Sequence, residues 1–188
     1  MKRYSYYRLH ISLKGQREKL FREVLFPERG TLDALAVTII SIFNTYQGEI
    51  YEFSDKTCRY YCQLPSRTNK TRVAVYGVRL TELNLQDNTF TMDYFRDSFV
   101  IEILDTVTYE RRFQIPRVIS GAGYGIATEG MNFLCAYLDG IPTRHKPHFR
   151  KSGKEVLLDF ESFDLAACNR KLRQEYAKIT EYYENHLW

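Results

Sequence analysis

The sequence has no apolar run long enough to cross a bilayer, and no apolar segment follows the basic residues at its amino terminus. We therefore expect a cytoplasmic protein without a signal peptide or a membrane helix. Cysteine is also scarce, and the four thiols should remain reduced in that compartment. They are Cys58, Cys62, Cys135 and Cys168. Cys58 and Cys62 would face one side of a strand, but no second close Cys or His pair completes a zinc spacing.

Several functional signatures are absent as well. The glycine spacings G-x-G-x-x-G and G-x-x-x-x-G-K-S/T of phosphate-binding loops do not occur, and neither does the G-x-S-x-G nucleophile elbow. Paired zinc fingers and the aromatic RNA-binding signature are missing too. The sequence therefore predicts no cofactor, and any nucleic-acid binding must use a surface other than these modules.

What the chain does contain is enough sequence for one substantial core and an unusual number of aromatic residues. Its 188 residues predict a single domain with a terminal extension. It has 15 tyrosines and 12 phenylalanines. Tyrosine often lies half-buried with its hydroxyl in water, which suits a recognition surface, although tyrosines on strands are also common structural residues.

Positive charge is concentrated in three segments, although the net charge is only +4. Basic residues crowd the first thirty positions, the segment around residue 70 and the stretch 144–154, whereas the middle of the chain is acidic. If these segments converge, they form a patch that binds phosphates with salt-sensitive affinity. The candidate nucleic-acid-binding residues are Arg67, Lys70, Arg72, Arg144, Lys146, Arg150 and Lys151.

Local periodicity predicts most of the secondary structure. Residues 6–13 and 19–26 alternate as two strands of a hairpin, and Thr31 is a plausible N-cap for a helix through Asn44. Further strands are predicted within 50–63 and at 73–76, 90–95 and 99–109, and the last two form a second hairpin-like pair. A turn or single helical turn is predicted at 80–84. The apolar run 131–138 fits either helix or strand. A long amphipathic helix begins at Phe163 and packs on the domain or on a partner.

The segment Pro116–Gly125 is the least ordinary part of the chain. Gly121, Gly123 and Gly125 occupy alternate positions, and glycine is costly unless special dihedrals or a close approach require it. One interpretation is a bulged turn between strands. The other is the lining of a cleft just before Glu129.

Two histidines and a carboxylate are the candidate catalytic groups. His145 and His148 lie among cations, and Glu129 follows the glycine segment. RNA cleavage by the 2'-hydroxyl needs a base, an acid and a cation for the charged phosphorane, so a ribonuclease is one interpretation. The alternative is a solvated basic loop without chemistry. Carboxylates such as Asp93 and Asp97 are also candidate ligands for a divalent metal.

Several ordered motifs resemble those of the plasmid pRiA4b ORF-3-like family. The opening strand Tyr7–Gly15, Leu25-Phe-Pro27 and the helix start Thr31-Leu-Asp-Ala-Leu35 match its first half. The family's Y-D-F-G-D-S-W-x-H strand resembles 93–101, and its P-x-x-x-x-G-x-G-Y-G segment resembles 116–125. Here Arg96, Phe99, Ile101 and Tyr51 replace the family's Gly, Trp and two histidines, so no histidine role carries over from these positions.

The resemblance implies an α+β fold. Its opening β-β-α-β unit wraps a curved, mostly antiparallel sheet on a central helix, and a long C-terminal amphipathic helix follows. The expected organisation is a domain over 1–160 and this helix over 161–188. The positions that carry over, as a surface cleft, are Asp97, Ser98, Gly121, Gly123, Tyr124 and Gly125.

The resemblance also implies residence on plasmids or other mobile elements. The leading hypothesis is an accessory protein that engages nucleic acid, foremost RNA, or a nucleoprotein complex such as a CRISPR effector. It would act as a counter-defence inhibitor, with or without RNA cleavage. The alternative is a non-catalytic adaptor that dimerises or holds a protein through its tyrosine-rich sheet and final helix. No membrane partner is expected.

Overall fold

The computed structural model describes residues 3–45, 48–63, 72–85, 87–95, 97–126, 148–151, 154–157 and 161–186, with the backbone alone at 148–151, 154–157 and 186. The predicted segment 131–138 and the basic loop at 65–71 lie outside these residues. The α+β class is confirmed.

One sheet organises the described part of the chain. Its strands are β1 (Tyr4–Leu13), β2 (Phe21–Pro27), β3 (Tyr51–Ser54), β4 (Arg59–Tyr61), β5 (Arg72–Ala74), β6 (Thr89–Tyr94), β7 (Asp97–Tyr109) and β8 (Arg117–Ala122). They lie in the order β5-β4-β3-β6-β7-β1-β2-β8, and every described pair except β4 with β5 is antiparallel. A separate antiparallel pair joins β9 (His148–Lys151) and β10 (Lys154–Leu157).

The two predicted hairpins form because their strands alternate. In β1, Leu9, Ile11 and Leu13 point into the core, and β2 pairs with it in a register that sets Ile11 opposite Arg22. The second hairpin, β6 with β7, sets Met92 opposite Phe99. Because β7 also pairs with β1, the two hairpins become one continuous sheet.

The first helix, α1 (Leu32–Ile42), is buried on nearly all sides. It starts after Thr31 as predicted, but the Thr31 hydroxyl makes no capping hydrogen bond. It ends two residues before the predicted Asn44, since Asn44 adopts a left-handed φ of 56° that no helix can continue. Apolar residues at helical spacing form one buried face of this helix. A second buried face exists because the C-terminal helix covers it.

The C-terminal helix, α2 (Leu165–His186), packs along α1 and β8. Its buried residues are Leu172, Ile179 and Tyr183, which match the predicted apolar stripe. The Tyr183 hydroxyl donates to the Glu49 carbonyl at 2.8 Å, so even the polar end of this face is satisfied inside the protein. A short 3₁₀-helix, Leu80–Glu82, occupies the predicted helical turn.

Candidate nucleic-acid interface

A groove of about 1160 Å³ lies between the loop that follows β7, the outer edge of β8 and the first turns of α2. Five exposed arginines line it, and we call it the arginine groove: Arg111, Arg112, Arg117, Arg170 and Arg173. The other described lining residues are Phe113, Gln114, Ile115, Pro116, Val118, Ile119, Leu165, Ala166 and Asn169. None of these lining residues is acidic.

An aromatic cluster holds the loop side of the groove. The Phe113 ring packs against Tyr6 and Tyr109, with ring centroids 5.1 and 5.3 Å away. The Phe113 N–H also donates to the Tyr6 hydroxyl at 2.8 Å. This anchor returns the chain towards β8 and leaves Arg111 and Arg112 exposed.

The helix side is held by one amide. Asn169 accepts a hydrogen bond from the Val118 N–H at 3.0 Å and donates one to the Val118 carbonyl at 2.8 Å. These Val118 groups lie on the outer edge of β8, so the amide occupies backbone positions where another strand would otherwise pair. Arg170 and Arg173, three residues apart, share one face of the helix.

The charge in the arginine groove is not neutralised by ion pairs within the described residues. Other cations are paired: Arg8 with Asp105 at 2.8 Å, Arg17 with Glu102 at 2.7 Å and Arg59 with Glu52 at 3.3 Å. None of the five groove arginines makes such a contact in this part of the chain. Clustered guanidinium groups without counter-charges attract polyanions and bind phosphate oxygens in a bidentate manner.

The glycine segment adopts a conformation that the sequence did not predict: it wraps a buried arginine. The Arg22 guanidinium donates to the carbonyls of Ala122, Gly123 and Tyr124 at 2.5, 2.8 and 3.1 Å, and to its neighbour Phe21 at 2.7 Å. Arg22 is 1% exposed. The segment is therefore a cradle of carbonyl oxygens around a cation.

Close packing explains two of the three glycines. A Cβ on Gly121 would lie 2.9 Å from both the Arg22 Cδ and the Phe163 ring. A Cβ on Gly125 would lie 2.6 Å from the Phe43 carbonyl, and Gly125 has a φ of 126°, which other residues rarely adopt. The segment is therefore the end of strand β8 followed by backbone that packs closely against other groups, and the cleft interpretation stays a prediction.

The Arg22 side chain also lines a smaller cavity of about 340 Å³ beneath α2, together with Tyr124, Cys168 and Lys171. Burial lowers the pKa of Arg22 to about 10, and the neighbouring Cys168 thiol opposes this shift. Burial raises the pKa of Cys168, and Arg22 offsets only part of the rise. The thiol is therefore mostly protonated near neutral pH, and backbone dipoles rather than a carboxylate solvate Arg22.

The other predicted cleft residues do not join the glycine segment. Asp97 and Ser98 are adjacent on β7 and point to opposite faces of the sheet, and β1 and β2 separate that strand from β8. Asp97 is 8% exposed, and burial raises its pKa to about 6. Ser98 donates a short hydrogen bond to Asp93. Of the six positions, Tyr124 alone is among the described lining of the smaller cavity.

The predicted catalytic and phosphate-binding residues are only partly described. Glu129, His145, Arg67, Lys70, Arg144 and Lys146 lie outside the described residues. His148, Arg150 and Lys151 belong to β9, where the backbone alone is described. Arg72 lies exposed on the edge strand β5, 5.9 Å from the Tyr61 ring, and lines a depression with Lys56 and Arg59.

No metal centre or membrane span is found in the described residues. They contain no cluster of three or more His, Cys, Asp or Glu side chains that could hold a metal ion. Neither described helix combines the length and the apolar character needed to cross a bilayer. His10 is buried and stacks on Phe21, with ring centroids 4.8 Å apart.

Sequence reasoning missed all five groove arginines as a set. A weak signal existed: the Arg111-Arg112 pair precedes the glycine segment, and Arg170 and Arg173 lie off the apolar stripe of the last helix. Those residues are about 60 positions apart, and only the packing of α2 beside β8 brings them together.

The protein is of the α+β class. An open eight-stranded sheet packs on one buried helix, and a C-terminal helix covers that helix beside the arginine groove. A family model described as "Plasmid pRiA4b ORF-3-like protein" matches residues 5–171, and the chain belongs to that family. No curated protein matches the sequence at a significant level.

A solved structure is similar in fold. It is the crystal structure of the protein of unknown function MM3350 from Methanosarcina mazei Go1, with a TM-score of 0.61 and 13% sequence identity. The match covers 72% of this chain and 82% of that one. At this identity the likeness supports the fold alone.

Proposed function

We propose that this protein binds nucleic acid, RNA foremost, either free or within a nucleoprotein complex, through the arginine groove. The observation that carries the proposal is a set of five exposed arginines around one concavity, with no acidic residue among its described lining. Guanidinium groups match phosphate oxygens in geometry and charge. Their separate origins, the loop after β7, the edge strand β8 and the helix α2, give phosphates two walls to contact.

The test compares two triple variants with the same loss of charge. The first, Arg111→Gln/Arg117→Gln/Arg173→Gln, removes three groove cations. The matched control, Arg8→Gln/Arg17→Gln/Arg59→Gln, removes three cations that are paired with carboxylates elsewhere on the surface. Binding of fluorescein-labelled RNA and DNA is followed by anisotropy at about 50 and about 200 mM salt.

The groove variant should lose at least about tenfold in affinity, and its salt dependence should fall by about 0.7 to 0.9 in log–log slope for each phosphate contact removed. The control should stay within about threefold of the wild type, because only diffuse charge changes. Equal losses in both variants, or no binding at the lower salt, would refute the proposal.

RNA cleavage and counter-defence are extensions of this proposal. Cleavage requires that Glu129, His145 and His148 act on the bound strand. If it occurs, a triple Glu129→Ala/His145→Ala/His148→Ala variant should bind RNA normally and leave it intact, with or without divalent metal. Inhibition of a CRISPR effector would follow from capture of its RNA, and excess free RNA should then relieve the inhibition.

A further inference from the structure

The lining of the arginine groove is partly apolar. The five arginines are exposed, whereas Phe113, Ile115, Pro116, Val118 and Ile119 are buried or half-buried, and Gln114 and Asn169 add polar groups. Leu165, at the start of α2, is 39% exposed and adds apolar surface that solvent can reach. A ligand that contacted the arginines alone would leave these apolar side chains exposed to water.

The Arg117 guanidinium plane is the stacking surface of the groove, because the Phe113 ring is already packed against Tyr6 and Tyr109. The Arg117 guanidinium carbon lies 5.8 Å from the Phe113 ring centroid. Nucleobases that are not paired stack on aromatic rings and on arginine planes, and this contributes to affinity without sequence preference.

The shape of the site argues against a duplex. A double helix presents its phosphates on a convex outer surface and keeps its base faces stacked inside. Such a ligand would contact the exposed arginines and bury little of the apolar side-chain surface at Leu165 and Ile115.

We infer that the arginine groove takes a single strand of nucleic acid, with bases against the apolar surface around Leu165 and Ile115 and phosphates at the arginines. This inference rests on the proposed function and names its substrate class. The inference assigns contacts to bases and phosphates but none to the sugar. Single strands of RNA and of DNA are therefore tested separately.

The experiment measures anisotropy with labelled oligouridine and oligothymidine of about 20 nucleotides and with RNA and DNA duplexes of the same length. Leu165→Ser removes exposed apolar surface from the groove without changing charge. Ile50→Ser is the control, because Ile50 is 53% exposed and is not among the described groove lining.

Single strands should bind at least about tenfold more tightly than duplexes of either type. Leu165→Ser should weaken single-strand binding about three- to tenfold, with the salt slope unchanged because no phosphate contact is lost. Ile50→Ser should bind like the wild type.

Duplexes that bind as tightly as single strands, or a Leu165→Ser variant with unaltered affinity, would overturn the single-strand inference while the groove remained a nucleic-acid site. Absence of binding to every probe would overturn the proposed function itself.

Discussion

Arg22 is a buried cation whose hydrogen bonds go to backbone carbonyls instead of a carboxylate. Four carbonyl oxygens accept from it, and its guanidinium carbon lies 4.3 Å from the Phe163 ring centroid. These dipoles and the ring replace water around the charge. Arg22 thereby joins β2, the glycine segment and Phe163, two residues before α2.

Replacing Arg22 should be severely destabilising. In Arg22→Met, the carbonyls of Ala122 and Gly123 lose the guanidinium donor and the Tyr124 carbonyl keeps only the Asn44 amide, so the free energy of unfolding should fall by about 3 kcal/mol or more. Urea denaturation measures this change. Arg173→Met is the control, because Arg173 is exposed and its loss should cost no more than about 0.5 kcal/mol. If the free energy of unfolding falls by less than about 1 kcal/mol in Arg22→Met, the hydrogen bonds from Arg22 to the carbonyls do not stabilise the fold as expected.

Asp97 should make the protein less stable as pH rises. Burial raises its pKa to about 6 in the folded protein, above the value of about 3.9 expected in the unfolded chain. Below the unfolded pKa the carboxyl is protonated in both states. As pH rises through this window, the unfolded chain releases the proton first, so the free energy of unfolding falls and stays lower above the folded pKa.

Asp97→Asn tests this expectation, because the amide is neutral at every pH. The free energy of unfolding of the variant should match that of the wild type near about pH 4. Near about pH 7 it should be higher by about 1 to 2 kcal/mol, as measured by urea denaturation. A stability difference that does not change over this pH range would mean that Asp97 is not the group that titrates.

At the scale of elements, β8 and α2 depend on each other. β8 is an edge strand, and exposed edges tend to pair with other chains. The Asn169 amide binds both backbone groups of Val118, and so part of that edge is occupied by the protein's own helix.

Asn169→Leu should therefore weaken this junction. The Val118 N–H and carbonyl would lose their partners, which should lower the free energy of unfolding by about 1 to 3 kcal/mol. The variant should also bind nucleic acid less tightly, since the two walls of the arginine groove are no longer held together. Asn185→Leu, on an exposed position of the same helix, should change neither stability nor binding. Normal stability in Asn169→Leu would show that these bonds are replaced by water.

For the whole molecule, α2 completes the core rather than extending from it. Leu172, Ile179 and Tyr183 are at most 1% exposed, and the Tyr51 and Tyr183 rings pack edge to face at 5.3 Å. Without this helix, the second face of α1 would be exposed to water.

A chain that ends at residue 163 should lose its cooperative thermal transition, since the buried surface of α1 and Tyr51 becomes exposed. Near-UV circular dichroism and thermal melts of the purified fragment measure this. If the fragment melts cooperatively at the temperature of the full chain, α2 contributes nothing to the fold and its apolar face is available for a partner.

Periodicity along the chain was sufficient to predict both hairpins, α1 and α2, because those elements depend on neighbours two to four residues away. Thr31, the alternation of β1 and the stripe through Leu172 are local signals of this kind. The family motifs added the α+β class, which the structure confirms.

Tertiary packing alone produced the strand order, the carbonyl cradle around Arg22 and the arginine groove. Arg111 and Arg173 are far apart in the sequence, and no local pattern connects them. Arg22 likewise lies 100 residues from Ala122, whose carbonyl accepts a hydrogen bond from it. Such sites depend on which surfaces pack together, and that is decided by burial of the whole apolar set at once.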